Sequence, residues 1–278
     1  MKILIAGCGD LGLKLAGRLI KAGHQVFGLR RKPCQGPYGL IWINADLKQP
    51  DTLVELPANL DGVIYMATPD EHTESGYRSL YVSGLGHLLE AIGQSFQGRL
   101  VYVSSTAVYG QRDGSWVDES SATEPRRFNG RVMLDGEQHA ALWSADLAIA
   151  RLGGIYGPGR NYLLRKACET SLQIQARPPV WTNRIHIDDA AGVLELLLDR
   201  QNPAGVYNVV DEQPAPRHEV LGWLATELGQ AAPELLDADN ESDQGKRVAG
   251  EKIKAVGFEL RYPNYKVGYL KNIEDFEK

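Results

Sequence analysis

Apolar positions along the chain fall into short unbroken runs that alternate with helical spacings. Lys2-Ile3-Leu4-Ile5-Ala6 is a continuous run of branched and small side chains, the pattern of a strand covered on both faces. Leu11, Leu15 and Leu19 then recur every four residues with Ala16 and Ile20 beside them. They make one face of a helix, and Gly23 is placed to end it. The same reading predicts strands over Gln25–Leu29, Leu40–Ile43, Gly62–Met66, Arg99–Val103 and Leu147–Leu152, with helices over Tyr77–Ile92 and Gly130–Ser144. Such alternation predicts an α/β fold, a doubly wound parallel sheet with helices on both faces.

After Tyr156 the alternation loosens. Arg177-Pro178-Pro179 and Asn202-Pro203-Ala204-Gly205 punctuate it. A helix over Asp188–Leu198, a strand over Gly205–Val209 and a helix over Pro216–Leu228 follow, with Asp188 or Asp189 expected to cap the first of these helices. Ala231–Gln244 is acidic and poor in large apolar side chains, so it reads as a loop, and the tail from Arg247 reads as half-structured. The predicted organisation is one domain over residues 1–155. Residues 156–278 then form a smaller lobe and return to the sheet.

Composition narrows the classes of function. A chain of 278 residues can bury a core of this kind. The net charge of −5 gives no electrostatic reason to expect a nucleic-acid partner. No apolar run approaches the roughly 20 residues of a membrane span, and the first run is too short for a signal-peptide core. Three cysteines without CxxC spacing predict a reduced, cytoplasmic setting with neither a metal site nor a disulfide.

Candidate chemistry begins at Gly7-Cys8-Gly9-Asp10-Leu11-Gly12, which follows the first strand and opens the first helix. In that context GxGxxG reads as a dinucleotide turn. Gly7 permits the tight turn, Gly9 lets a pyrophosphate approach the backbone, and Gly12 lets helix and strand pack closely. The helix N-terminus, at Asp10 and Leu11, supplies N–H groups and partial positive charge. The bland alternative is a tight βα turn without a ligand. Cys8 reads as a small space-filling residue. The second strand ends in Leu29-Arg30-Arg31-Lys32. NAD-specific sites usually carry a carboxylate there, whereas Arg30 and Arg31 can pair with a 2′-phosphate. NADP is therefore expected in preference to NAD, unless the basic turn is merely solvated.

With those residues in place the chain resembles the atypical extended short-chain dehydrogenase/reductases, the NAD-dependent epimerase/dehydratase-like proteins. The resemblance extends through Asn44-Ala45-Asp46-Leu47, Val63-Ile64-Tyr65-Met66-Ala67, the segment from Val101 to Gly110, Arg151-Leu152-Gly153-Gly154-Ile155-Tyr156-Gly157, Ile185-His186-Ile187-Asp188-Asp189 and Tyr207-Asn208-Val209. It implies a Rossmann-type sheet and a C-terminal substrate lobe. It also implies that Asp46 contacts the adenine with Leu47 beside it, and that Ala67 lies near the cofactor ribose, with Thr68 as a cofactor-site candidate where the family usually has a second alanine. Ser105 would hydrogen-bond the reacting oxygen of the substrate. Against these stand an Asx turn at Asp46 and a turn cap at Ser105. A homodimer built on two long helices is the assembly that the resemblance suggests.

The chain departs from the family where proton transfer is done. Pro125 and Glu137 fix the alignment of the helix that usually carries YxxxK, and they put Asn129 at the tyrosine position and Met133 at the lysine position. Asn does not titrate and Met carries no charge. Arg126, Arg127 and Arg131 crowd the same stretch. Arg131 is a candidate for polarising a carbonyl or clamping an anion, although its pKa makes it a poor proton donor. The expected function is thus an NAD(P)-dependent reaction of the epimerase, dehydratase or reductase type on a small sugar-nucleotide or other anionic substrate. The competing expectation is a cofactor-binding sensor without turnover.

Overall fold

A computed structural model describes residues 1–239 and 241–276. Seven strands form the central sheet: β1 (Lys2–Ala6), β2 (Gln25–Arg30), β3 (Ile41–Asn44), β4 (Gly62–Tyr65), β5 (Arg99–Ser105), β6 (Leu147–Leu152) and β7 (Gly205–Val209). Their order is β7-β6-β5-β4-β1-β2-β3 in a parallel sheet of the Rossmann type. β1 lies between β4 and β2, with Ile3 in register with Val26 on one side and Gly62 on the other. Ile3, Leu4, Ile5 and Ala6 are all buried, as expected of a strand covered on both faces.

The chain divides into two compact units that are discontinuous in sequence. The first comprises Met1–Tyr109, Thr123–Arg151 and Ala191–Tyr207, and the second Gly110–Ala122, Leu152–Ala190 and Asn208–Lys278. In the first unit α1 (Asp10–Lys21) buries Leu11, Leu15 and Leu19, the leucine face read from the sequence. The helix expected over Tyr77–Ile92 is built in three parts: α2 (Glu74–Arg78), a π-helical turn over Ser79–Gly84, and α3 (Leu85–Ile92). Tyr65 in β4 donates its hydroxyl proton to the Leu80 carbonyl inside that turn (2.6 Å). The next helix, α4 (Phe128–Trp143), packs so closely against the turn after β5 that a side chain at Gly130 would overlap the Ala107 backbone. Arg99, buried at the start of β5, donates to the carbonyls of Leu197 and Asn202 and pairs with Asp146 at 2.6 Å.

The second unit is built from short strand pairs and helices around Tyr156, Leu164, Leu221, Leu224, Tyr265 and Tyr269. Gly154–Tyr156 runs parallel to Arg184–His186. Glu234–Asp237 runs parallel to Gln173–Arg177, which corrects the reading of Ala231–Gln244 as a loop. A strand there is anchored by a partner some sixty residues earlier, while its own side chains stay exposed. The helix expected from Asp188 begins at Ile187. The Asp189 carboxylate accepts the backbone N–H groups of Arg261 and Tyr262 at 3.1 and 2.9 Å. It therefore caps a distant loop, which corrects the expectation of a helix cap at that residue. His186 is buried with its ring 3.7 Å from that of Tyr262. No helix among the described residues is long and apolar enough to cross a membrane.

Candidate active site and cofactor cleft

The C-terminal ends of β1 to β4 in the first unit border a cleft of about 690 Å³. Its floor is the turn after β1. Gly7 has φ +83°, and a side chain there would run into the backbone of Ala67. The left-handed backbone and the close approach both call for glycine. At Gly12 an added Cβ would lie 3.2 Å from Cys8 Sγ and 3.3 Å from Ile5, so this glycine serves helix–strand packing. Gly9 differs. A Cβ there meets nothing closer than the Gly7 carbonyl at 4.0 Å. Protein packing does not explain a glycine at that position, but a pyrophosphate lying on the backbone does. The residues present thus fit a dinucleotide. Burial pushes the Cys8 thiol up to about 12, in keeping with a space-filling role.

The other expected cofactor residues gather around this turn. Arg30, Arg31, Asp46, Leu47, Ala67 and Thr68 all border the cleft. Asp10, Leu11 and Gly12 form the first turn of α1, where the Asp10 carboxylate accepts the Leu11 N–H at 2.8 Å. Asp46 accepts the Lys48 N–H at 2.9 Å, the Asx turn considered as its alternative role, and does so at the cleft wall. Arg30 donates to the Cys34 thiol at 2.8 Å and lies 5.9 Å from the centre of the Trp42 ring. Arg31 is held by a carboxylate from a distant loop, which no local pattern in the chain predicts. Asp70, from the loop after β4, accepts two hydrogen bonds from its guanidinium, both 2.6 Å.

Around the end of β5 the structure brings Ser105 and the start of α4 onto adjoining segments. Ser105 Oγ accepts the Ala107 N–H at 3.1 Å and so caps the turn over Thr106–Val108. Asn129 is partly exposed on the first turn of α4, and Met133, one turn on, is buried. Arg131 is not directed at them. It is exposed and donates to the carbonyl of Arg126 at 2.6 Å. Behind Ser105 lies a buried polar cluster that sequence reasoning used only as an alignment mark. Glu137 accepts from Ser104 at 2.5 Å and from Arg151 at 3.0 and 2.7 Å. Arg151 also donates to the Tyr109 hydroxyl at 3.0 Å. The spacing Tyr-x-x-x-Lys does occur at Tyr162 and Lys166, on the six-residue helix Tyr162–Ala167 of the second unit. There Tyr162 is 69% exposed and Lys166 pairs with Glu169 at 2.6 Å.

The second unit contains a cavity of its own, about 480 Å³, bordered by Arg160, Arg165, Arg184 and Arg217 with Tyr156 and Tyr269. Arg184 is 4% exposed. One of its terminal nitrogens donates to Thr182 Oγ1, while Nη1 is buried without a partner. A buried guanidinium nitrogen left unsatisfied costs free energy until an acceptor reaches it. In the sequence Arg160, Arg165, Arg184 and Arg217 are spread over nearly sixty residues, and nothing there shows their convergence. No group of three or more His, Cys, Asp or Glu among the described residues is arranged to hold a metal ion.

The sequence and fold were compared with known proteins. The model of the NAD dependent epimerase/dehydratase family matches residues 3–210. A solved Methylobacillus flagellatus protein, named for NAD-dependent epimerase/dehydratases, is 37% identical, with 100% of this chain and 99% of that one covered at a TM-score of 0.82. A 3-diazoavenalumate denitrifying reductase from a Streptomyces species is 28% identical over 86% of this chain and 85% of its own. The dTDP-glucose 4,6-dehydratase DesIV of Streptomyces venezuelae, solved with NAD bound, shares the fold at 19% identity and a TM-score of 0.84, with 100% of this chain and 97% of that one covered. The glycine turn, the sheet order and the family match agree, and the chain belongs to the NAD-dependent epimerase/dehydratase family.

Proposed function

We propose that the protein is an NAD(P)-dependent oxidoreductase or isomerase acting on a small anionic substrate without the family's Tyr–Lys acid–base pair. The cofactor lies on Gly7 and Gly9, with its adenine end toward Asp46 and Leu47. NADP is preferred, with its 2′-phosphate on Arg30. When bound, the nicotinamide supplies hydride transfer. Ser105 hydrogen-bonds the oxygen of the reacting centre. Asn129 extends the polar surface of the same site but moves no proton, so the proton comes from the substrate itself or from water.

The observation that favours an anionic ligand is Arg184, in the second unit's own cavity. A nine-tenths buried arginine with an unpartnered Nη1, beside three further arginines on a cavity wall, suits a carboxylate or phosphate. The test is cofactor turnover with a panel of sugar nucleotides, sugar phosphates and small carboxylates against neutral analogues. Activity confined to anions, and weakened by Arg184→Lys mainly in KM, supports the reading. Equal activity on neutral analogues overturns it. Asn129 and Met133 favour a second reading, a cofactor-binding protein without turnover. Cofactor binding with no turnover on the whole panel supports that reading.

A further inference from the structure

Arg31 is the first residue after β2, and Asp70 lies five residues beyond the end of β4. In the sheet β1 sits between those two strands. Their ion pair therefore joins the loops on either side of the strand that carries the glycine turn, and both residues border the cleft. Both terminal nitrogens of Arg31 are taken, at 2.6 Å each. The same carboxylate is 3.8 Å from Lys48 Nζ. Arg30 has no carboxylate partner among the described residues; it meets the weakly accepting Cys34 thiol and the Trp42 ring. The basic turn thus holds one available guanidinium and one that is already engaged.

We infer that Asp70 is a specificity-determining residue for the cofactor: it withholds Arg31 from a 2′-phosphate and repels that phosphate, while offering an acceptor to the 2′-hydroxyl of NAD. The inference rests on the dinucleotide reading proposed above. A phosphate monoester carries about −1.5 to −2 charges at neutral pH. It competes with a carboxylate for the same planar fork of an arginine. Arg31 and Asp70 are each 51% exposed in their side chains. A pair so exposed is weakly held in water, so the carboxylate governs ligand choice more than fold stability. The end of β2 lacks the acidic residue that usually reads the ribose, and the loop after β4 supplies one from the opposite side of β1.

The test is calorimetric titration of NAD and NADP into the full chain, Asp70→Asn, Arg31→Ala and the double variant. Asp70→Asn is expected to tighten NADP by about tenfold or more, the scale of one charge-assisted contact. Its NAD affinity should fall or at most hold, because the ribose 2′-hydroxyl loses a charged acceptor, and thermal unfolding shows separately that the variant is folded. Arg31→Ala alone should not tighten NADP, since it leaves the Asp70 charge unpaired, and in the double variant the part of the gain owed to Arg31 should vanish, leaving only the relief of repulsion. An unchanged NADP affinity in Asp70→Asn, or equal tightening of both cofactors, overturns the inference while leaving the dinucleotide reading intact. A parent that binds neither cofactor overturns both.

Discussion

Arg151 and Glu137 form a two-pronged ion pair at 3.0 and 2.7 Å, with both side chains almost wholly buried. The pair ties β6 to α4. Through Ser104, which donates to Glu137, it also fixes the end of β5, which closes at Ser105. Removing one partner leaves the other charge buried and uncompensated, at a cost of about 3–5 kcal/mol. Arg151→Met should therefore lower the stability by that amount in urea denaturation. The double substitution Arg151→Met with Glu137→Leu should recover part of the loss, because an apolar pair leaves no orphaned charge.

On the proposed reading, with Asn129 and Met133 at the positions of the Tyr–Lys pair, catalysis should lack that pair's help. General acid–base assistance contributes typically 10²–10⁴-fold, so parental turnover of a conventional sugar nucleotide is expected near background. Asn129→Tyr with Met133→Lys should raise it. Met133 is buried, so the new lysine needs the hydroxyl acceptors of the cofactor ribose to take hydrogen bonds from its ammonium, and the gain should depend on cofactor concentration. Robust parental turnover of a standard sugar nucleotide, unaffected by Ser105→Ala, would place the chemistry elsewhere.

Asp211 gives the second unit a pH dependence. Burial raises its carboxyl to about 7, partly countered by Arg184. An unfolded aspartate titrates near 3.9. Between those values the folded chain holds a proton that the unfolded chain has released, so stability falls as pH rises through that window and levels off above it. Each unit of displacement is worth about 1.4 kcal/mol. Asp211→Asn should flatten the decline in Tm between about pH 4 and 7. A residual slope should remain from Asp189, whose carboxyl burial also raises. An unchanged slope in Asp211→Asn would show that the group titrates normally.

What the sequence disclosed and what it hid follow a physical division. The continuous run Ile3–Ala6 and the four-residue spacing of Leu11, Leu15 and Leu19 are local patterns, and the sheet and α1 reproduce them. The three glycines were legible because their spacing sits between a strand and a helix, although the close neighbour of Gly7, the Ala67 backbone, is distant in sequence. Asp70 was not, because nothing near it in sequence signals that it returns to Arg31, 39 residues earlier. The strand Glu234–Asp237 was hidden likewise, its pairing supplied by Gln173–Arg177 and its side chains exposed. Arg184 looked like one basic residue among many. Only folding places it in a cavity wall with an orphaned nitrogen. The π-turn over Ser79–Gly84 left no mark in the apolar spacing, because the helix continues on both sides of it.

The central claim is that Gly9 is glycine for the sake of a dinucleotide. A Cβ added there meets only the Gly7 carbonyl, at 4.0 Å, so Gly9→Val is expected to fold as the parent does. The most direct measurement is calorimetric titration of NADP and NAD into the parent, Gly9→Val and Arg30→Ala, with thermal unfolding as the control for folding. The parent should bind one cofactor per chain, NADP the tighter. Gly9→Val should bind neither at unchanged Tm. Arg30→Ala should lose roughly 10- to 100-fold in NADP affinity, the scale of a charge-assisted contact. Parental affinity in a folded Gly9→Val, or no binding by the parent, would contradict the account.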